Sequence, residues 1–363
     1  MDNLINHGGN LPHFTFIDLF AGIGGFRIAF QSAGGKCVFS SEYDRFAQDT
    51  YQAFFGERPD FAHIRKVQPP GDITKIPPEE IPDHDVLAAG FPCQPFSLAG
   101  VSKKQSLGRE HGFKDPTQGT LFFTLKEIIK YKKPKAFLLE NVKNLQSHDR
   151  GRTFRIIRES LEGELGYHIT YRVIDASGWV PQHRERIYIV GFRPNNGDQN
   201  WEITDFPELH QIKPSVNRPS LDEILEEKVP EKYTLGPGTW STLLRHKSYH
   251  EQKGQGFGYG LISRPFGDKI TRTLSARYHK DGAEILIEQP GKNPRRLTPL
   301  ECCRLMGFPV EYQKYFDGTC EQPVSDTQAY RQFGNSVVVP LVTCIAKAMI
   351  HKLQEAGALD GIK

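Results

Sequence analysis

No run of apolar side chains here approaches the roughly 20 residues that cross a bilayer, and residues 1–13 carry neither a charged n-region nor an apolar h-region. The reading is a cytoplasmic protein with no membrane partner. Cysteine is sparse: Cys37, Cys93, Cys302, Cys303, Cys320 and Cys344 include no C-x-x-C pair, and Cys302 and Cys303 are adjacent. Adjacent thiols rarely suit a disulfide or a tetrahedral zinc site, so reduced thiols and no metal are expected. There is no H-E-x-x-H, and His183 sits in no metal-ligand spacing. The net charge of +3 is too small to imply a polyanionic partner by itself. What is present, 38% hydrophobic and 25% charged residues over 363, suits a globular chain with one large core plus a lobe.

The most informative stretch is Ala88-Ala89-Gly90-Phe91-Pro92-Cys93-Gln94-Pro95-Phe96-Ser97. It follows an apolar run, Asp85-Val86-Leu87-Ala88-Ala89, that reads as a short buried strand. Pro92 and Pro95 fix φ and lack an N–H, which stiffens the loop and restricts the direction of Cys93. A nucleophile and an inert buried thiol are both open readings of Cys93 taken alone.

Residues 14–20 read as a first buried strand, with Ala21-Gly22-Ile23-Gly24-Gly25 as a tight turn into a helical pattern over 26–33. Glycines at a strand's C-terminal end let a ligand approach the backbone, as in nucleotide-binding α/β sheets, although G-x-G-x-x-G is not met. A second strand over 36–40 leads to Glu42, 20 residues after Gly22, a distance at which acids bind ribose hydroxyls. A surface carboxylate is the alternative. Asp72, in Gly71-Asp72-Ile73-Thr74, reads either as an acceptor for an adenine amino group or as an Asx-turn or helix cap. A helix starting at 119–123 and running to about Tyr131 precedes the strand Ala136-Phe137-Leu138-Leu139. Glu140 at that strand's end belongs in the cleft with Cys93, or caps a helix. Strand alternation over 182–191 places Gln182, Arg184 and Arg186 on one face, and two guanidinium groups together call for anions such as phosphate or Glu140.

Taken together, the 18–25 turn, Glu42, Phe91-Pro92-Cys93-Gln94, Glu140-Asn141-Val142 and the 182–186 stretch resemble, in order, the motifs of the DNA cytosine-5 methyltransferases. Downstream, Arg295-Arg296-Leu297-Thr298-Pro299 and the residues to Pro309 are similar to that family's ninth motif. Arg331-Gln332-Phe333-Gly334-Asn335-Ser336 and the residues to Leu341 are similar to its tenth. Residues 264–296 hold eight Lys/Arg against four Asp/Glu, an excess suited to phosphate contacts. By resemblance this is the target recognition domain, with Thr273 and Leu274 as its Thr-Leu pair. Residues 256–287 are similar to the Dcm-type subgroup that recognises CCWGG.

The resemblance implies an α/β fold with a Rossmann-like S-adenosylmethionine-dependent methyltransferase sheet and a smaller, irregular β-rich recognition domain. The expected division is a catalytic large domain over 1–192, a small domain over 193–325 and a returning segment over 326–363, with its helical tail completing the cofactor pocket. It implies Cys93, Glu140, Arg184 and Arg186 as catalytic residues, with Cys93 adding to carbon 6 of a flipped cytosine, Glu140 at ring nitrogen 3, and the two arginines positioning Glu140 and the base. S-adenosylmethionine would be held by Asp18, Phe20, Gly22, Gly24, Glu42, Tyr43, Asp72, Ile73, Pro92, Leu121, Asn335 and Ser336. Gln94, Ser97, Arg272, Thr273 and Leu274 would contact DNA, and the 97–118 loop would close over the cleft. The expected partners are double-stranded DNA and a cognate restriction endonuclease, the enzyme itself being a monomer. Cys302 and Cys303 are assigned to packing. A tRNA cytosine-5 methyltransferase would share Cys93, Glu140 and the cofactor loop, but the Cys-Phe-Thr tripeptide of that family is not found in the recognition region. A non-catalytic DNA-binding module would not need these residues together, and an NAD oxidoreductase would need the missing glycine spacing.

Overall fold

The structure is a computed structural model that describes residues 14–92, 121–194, 209, 212–214, 217–254 and 258–359. Four strands run in parallel: β1 (Phe14–Leu19), β2 (Gly35–Ser41), β3 (Val86–Gly90) and β4 (Ala136–Val142). β5 (His168–Asp175) and β6 (Glu185–Phe192) form a hairpin added antiparallel to β4, giving the order β2-β1-β3-β4-β6-β5. Side chains along each central strand alternate between two cores, as the two-residue period of a strand dictates. Phe16, Ala88, Leu138 and Val190 face one core, and Ile17, Leu87, Phe137 and Ile189 face the other.

Because β1 to β4 are parallel, their C-terminal ends share one edge of the sheet. The chain moves outward from β1 to β2 and then back past β1 to β3, so a crevice opens between the ends of β1 and β3, where such sheets bind ligands. Two helices frame it. α1 (Gly25–Ser32) leaves the glycine turn, and α2 (Arg45–Phe55) starts at Asp44, whose carboxylate accepts from the N–H groups of Phe46 and Ala47. α3 (Leu121–Lys132) and α4 (Arg152–Arg158) cover the second core.

Beyond β6 lie the short α5 (Leu221–Ile224), α6 (Pro237–Gln252) and a three-stranded sheet of β7 (Leu261–Ile262), β8 (Leu286–Gln289) and β9 (Lys292–Arg295). α6 is a helix of sixteen residues in the region expected to be irregular and β-rich. Leu243 is its one buried residue, so it carries no apolar stripe for a sequence reader to find. α7 (Pro299–Leu305) opens with a reciprocal Thr298–Glu301 capping box, and α8 (Val310–Gln313) brings Tyr312 onto the large domain, where its hydroxyl donates to the Ile23 carbonyl at 3.1 Å. Cys302 and Cys303 on α7 are fully buried in this core.

α9 (Asp326–Asn335) and α10 (Val339–Glu355) end the described chain. By composition this helical stretch is apolar enough to span a membrane, unlike the sequence expectation, but 61% of its most apolar window is buried inside the fold. α10 packs on α1 beneath the sheet instead of lining the crevice, which corrects the expected role of the tail.

Candidate active site

A cleft of about 790 Å³ lies at the strand ends, within the roughly 300–1,000 Å³ typical of small-molecule sites. Its floor is the turn after β1. Phe20, Gly22 and Gly24 all have positive φ (56°, 56° and 86°); Phe20 and Gly22 line the cleft, whereas Gly24, expected to contact cofactor, faces Phe55 and Tyr51 instead. A non-glycine residue in that conformation stores about 1–3 kcal/mol of strain, a pattern that clusters at ligand sites. Glu42 braces the turn: Oε2 accepts from the Gly22 N–H and Oε1 from the Asp44 N–H, both at 2.7 Å. Each oxygen retains a lone pair for a ligand hydroxyl. Burial raises the Glu42 pKa against these hydrogen bonds.

The Gly71 turn is set directly against Glu42. A β-carbon at Gly71 would stand 1.8 Å from the Glu42 carbonyl oxygen, so only glycine fits. Gln48 sews the two segments together by donating to the Glu42 and Pro70 carbonyls at 2.6 and 3.1 Å. Asp72 does cap the short helix Ile73–Lys75, Oδ1 accepting from the Thr74 N–H and hydroxyl, while the residue also lines the cleft. The cap is the reading the fold makes, and it leaves Oδ2 at the cleft wall. Tyr43, Ile73, Pro92, Leu121, Asn335 and Ser336 line the same walls.

Asp18 does not reach the cleft. On β1 it shares the face of Phe16, is fully buried, and neither carboxyl oxygen has a hydrogen bond of normal geometry. Burial drives its pKa well up, with the Arg27 guanidinium and backbone N–H opposing. Its direct contact with cofactor is corrected to a position beneath the loop.

Opposite the turn, Glu140 stands on β4 in register with Gly90. Its Oε1 lies 3.2 Å from Arg186 Nε, and the two side chains are only 12% and 17% exposed. Burial raises the Glu140 pKa, and Arg186 and then Arg184 oppose the rise. A β-carbon at Gly90 would sit 3.6 Å from Glu140 Oε2, which places the carboxyl directly beside the end of β3.

Arg184 behaves differently from expectation. β6 starts at Glu185, so Gln182 and Arg184 precede it and are not strand residues. Arg184 donates to the carbonyls of Leu274, Gly334 and Ser336 at 2.9, 3.0 and 2.5 Å instead of to Glu140. Burial, and next the neighbouring Arg186 charge, pull its pKa down to about 9.

Of the expected DNA contacts, Arg272 is exposed and donates to the Gly258 carbonyl, and Thr273 is half-buried with its hydroxyl on the His183 carbonyl at 2.6 Å. Leu274 is fully buried, so its side chain cannot touch DNA; it anchors the strip. Cys93, Gln94, Ser97 and the 97–118 loop lie outside the described residues. Sequence reading gave Asn141 no role of its own. It is 2% exposed, and its Nδ2 donates to the Phe91 carbonyl at 2.8 Å, pinning the chain just before Pro92 and Cys93. The signal was available: a polar amide at the end of an apolar strand contradicts strand propensity. Arg331 and Gln332 also line the cleft.

The C-5 cytosine-specific DNA methylase family matches residues 14–351. The DNA-cytosine methyltransferase of Escherichia coli K12 is 47% identical over 96% of this chain and 80% of its own length. The type II methyltransferase M.SsoII of Shigella sonnei is 49% identical over 94% of this chain and 81% of its own. In fold, the chain is similar to the S. pombe Dnmt2 methyltransferase, with a TM-score of 0.66 at 17% identity, covering 94% and 99% of the two chains.

The cleft fits S-adenosylmethionine. Glu42 has the lone pairs for a ribose diol, Asp72 has an Oδ2 for an adenine amino group, and Phe20, Gly22 and Asn335 complete the lining. The cofactor of this enzyme is S-adenosylmethionine. On matched length, identity and site geometry alike, the chain belongs to the C-5 cytosine-specific DNA methylase family.

Proposed function

We propose that this DNA cytosine-5 methyltransferase acts on a cytosine rotated out of duplex DNA, through a covalent bond between Cys93 Sγ and carbon 6, and that its target is the inner cytosine of CCWGG. The observation that carries the mechanism is the buried Glu140–Arg186 pair in the same cleft as the Glu42-braced turn. Carbon 5 of an aromatic cytosine is a poor nucleophile. Addition of the Cys93 thiolate at carbon 6 breaks the aromaticity and pushes electron density to carbon 5 and ring nitrogen 3. Glu140, whose pKa burial raises, donates its proton to nitrogen 3 as that charge grows, and Arg186 holds the carboxyl in place. Bound S-adenosylmethionine supplies a methyl group on a sulfonium. Once carbon 5 is methylated, Glu140 takes back the nitrogen 3 proton, a base removes the carbon 5 proton, the electron pair of that C–H bond re-forms the 5,6 double bond, and the thiolate leaves.

A stacked base is out of reach of these groups, so the cytosine must leave the helix at a cost of about a few kcal/mol, offset by phosphate and base contacts. The basic 264–296 segment supports that role. The CCWGG target is supported by similarity of residues 256–287 to the Dcm-type subgroup, and the proposal includes the division at 192 and 325, action as a monomer beside a cognate endonuclease, and a cytoplasmic location. The five free cysteines among the described residues are consistent with the last.

A duplex carrying 5-fluorocytosine at the target tests the covalent step, because fluorine cannot leave carbon 5 as a cation and elimination stalls. The expected result is a denaturation-resistant protein–DNA complex that needs cofactor and disappears in Cys93→Ala. Methyl transfer to ordinary cytosine without any trapped complex contradicts the mechanism.

A further inference from the structure

We infer that Arg184 is a positioning residue that couples the 271–276 strip to the 334–336 ledge, so that duplex DNA and cofactor strengthen each other's binding. The inference rests on the functional reading above, in which the strip meets DNA and the ledge meets cofactor. Its guanidinium is 2% exposed and spends Nη1 on the Leu274 carbonyl and Nη2 on those of Gly334 and Ser336. The nearby carboxylate, Glu140, is taken by Arg186. A planar fork with fixed donor directions transmits displacement of one acceptor to the others, which a flexible ammonium does not.

Two independent contacts extend the line. A β-carbon at Gly334 would stand 2.3 Å from the Ser275 carbonyl, so strip and ledge touch backbone to backbone. At the other end a β-carbon at Gly25 would stand 2.7 Å from Val337 Cγ2 and 3.3 Å from Ser336 Oγ, so the ledge rests on the start of α1 and on the cofactor turn. The strip is itself fastened to the residues before Arg184. The Thr271 N–H donates to the Pro181 carbonyl, the His183 N–H to the Thr271 carbonyl, and the Leu274 N–H to Gln182 Oε1. DNA that orders the strip therefore orders the ledge as well, and the second ligand meets a site already set. Such coupling is reciprocal and amounts to about 5–150-fold in affinity.

The test measures by calorimetry the affinity of the full chain for S-adenosylhomocysteine, which cannot donate a methyl group, with and without a saturating CCWGG duplex. In the wild type the duplex should tighten binding by about 5–150-fold. In Arg184→Lys that ratio should fall to near one, with each ligand still bound singly. Gln182→Met, which removes the 2.8 Å side-chain acceptor of the Leu274 N–H and leaves Arg184 and the expected DNA-contacting side chains in place, should show an intermediate ratio and decides the matter if the lysine variant fails to fold. A wild-type ratio of one, or an unchanged ratio in the decisive variant, overturns the inference. If the wild type methylates CCWGG yet shows a ratio of one, the coupling fails while the functional reading stands; a wild type that neither binds nor methylates duplex sinks both.

Discussion

Replacing Glu140 by glutamine keeps the shape of the side chain and removes its exchangeable proton. Burial holds the Glu140 pKa up against the Arg186 guanidinium 3.2 Å away, so the wild-type side chain keeps its proton to higher pH than a free glutamate does. The acid form is the active form in the proposed addition step. Turnover should therefore decline on the alkaline side as pH rises through the Glu140 pKa, and on the acid side as the thiolate is lost. In Glu140→Gln the alkaline decline from this group should vanish. General acid catalysis contributes about 10²–10⁴-fold, so single-turnover methylation should slow by about that factor, or about 3–5 kcal/mol of barrier. Glutamine still accepts from Arg186, so cofactor affinity should change less than about threefold by comparison. Single-turnover methyl transfer to duplex across the pH range, beside calorimetric cofactor binding, measures both quantities. A variant within tenfold of wild type, or one that retains the same alkaline limb, refutes the role assigned to Glu140.

Asp18→Asn should flatten the pH dependence of stability: a buried carboxyl with a raised pKa contributes stability below its unfolded pKa and loses it as pH rises through the folded value. Thermal melts from acid to neutral pH check this, and equal slopes for the two proteins count against it. Arg295→Met should cost about 3–5 kcal/mol in urea unfolding, because Glu301, fully buried and bonded through both oxygens to Arg295, is left with an unpaired charge. Leu274→Ala should cost about 2–5 kcal/mol of stability through a core cavity while leaving the preferred DNA sequence unchanged; a shifted sequence preference in a methylation screen contradicts the anchoring role.

Much of this site is legible in the sequence where chemistry depends on backbone shape. β1, β3 and β4 announce themselves as short apolar runs ended by glycine or an acid, and the positive-φ turn after β1 can be read from Gly22 and Gly24. The spacing from Gly22 to Glu42 anticipates a hydrogen bond that the fold makes at 2.7 Å. What escapes reading depends on partners remote in the chain. Gln182, Arg184 and Arg186 alternate as a strand would, yet only Arg186 is in one, because the backbone of Pro181 and His183 bonds to the 271–273 strip and that of Gln182 turns back to Val180. Leu274 reads as a recognition residue beside Thr273 until its burial is seen. Asp18 follows the same pattern, its place in the glycine motif suggesting contact while strand alternation turns it away from the cleft.

The most direct measurement incubates the full chain with tritiated S-adenosylmethionine and, separately, CCWGG duplex, scrambled duplex and tRNA, beside Cys93→Ala, and locates the label by nucleoside analysis. The account predicts label at carbon 5 of the inner cytosine of CCWGG, none in the scrambled duplex or tRNA, and none anywhere with the alanine variant. Label in tRNA instead of duplex, or label in duplex that survives Cys93→Ala, contradicts it.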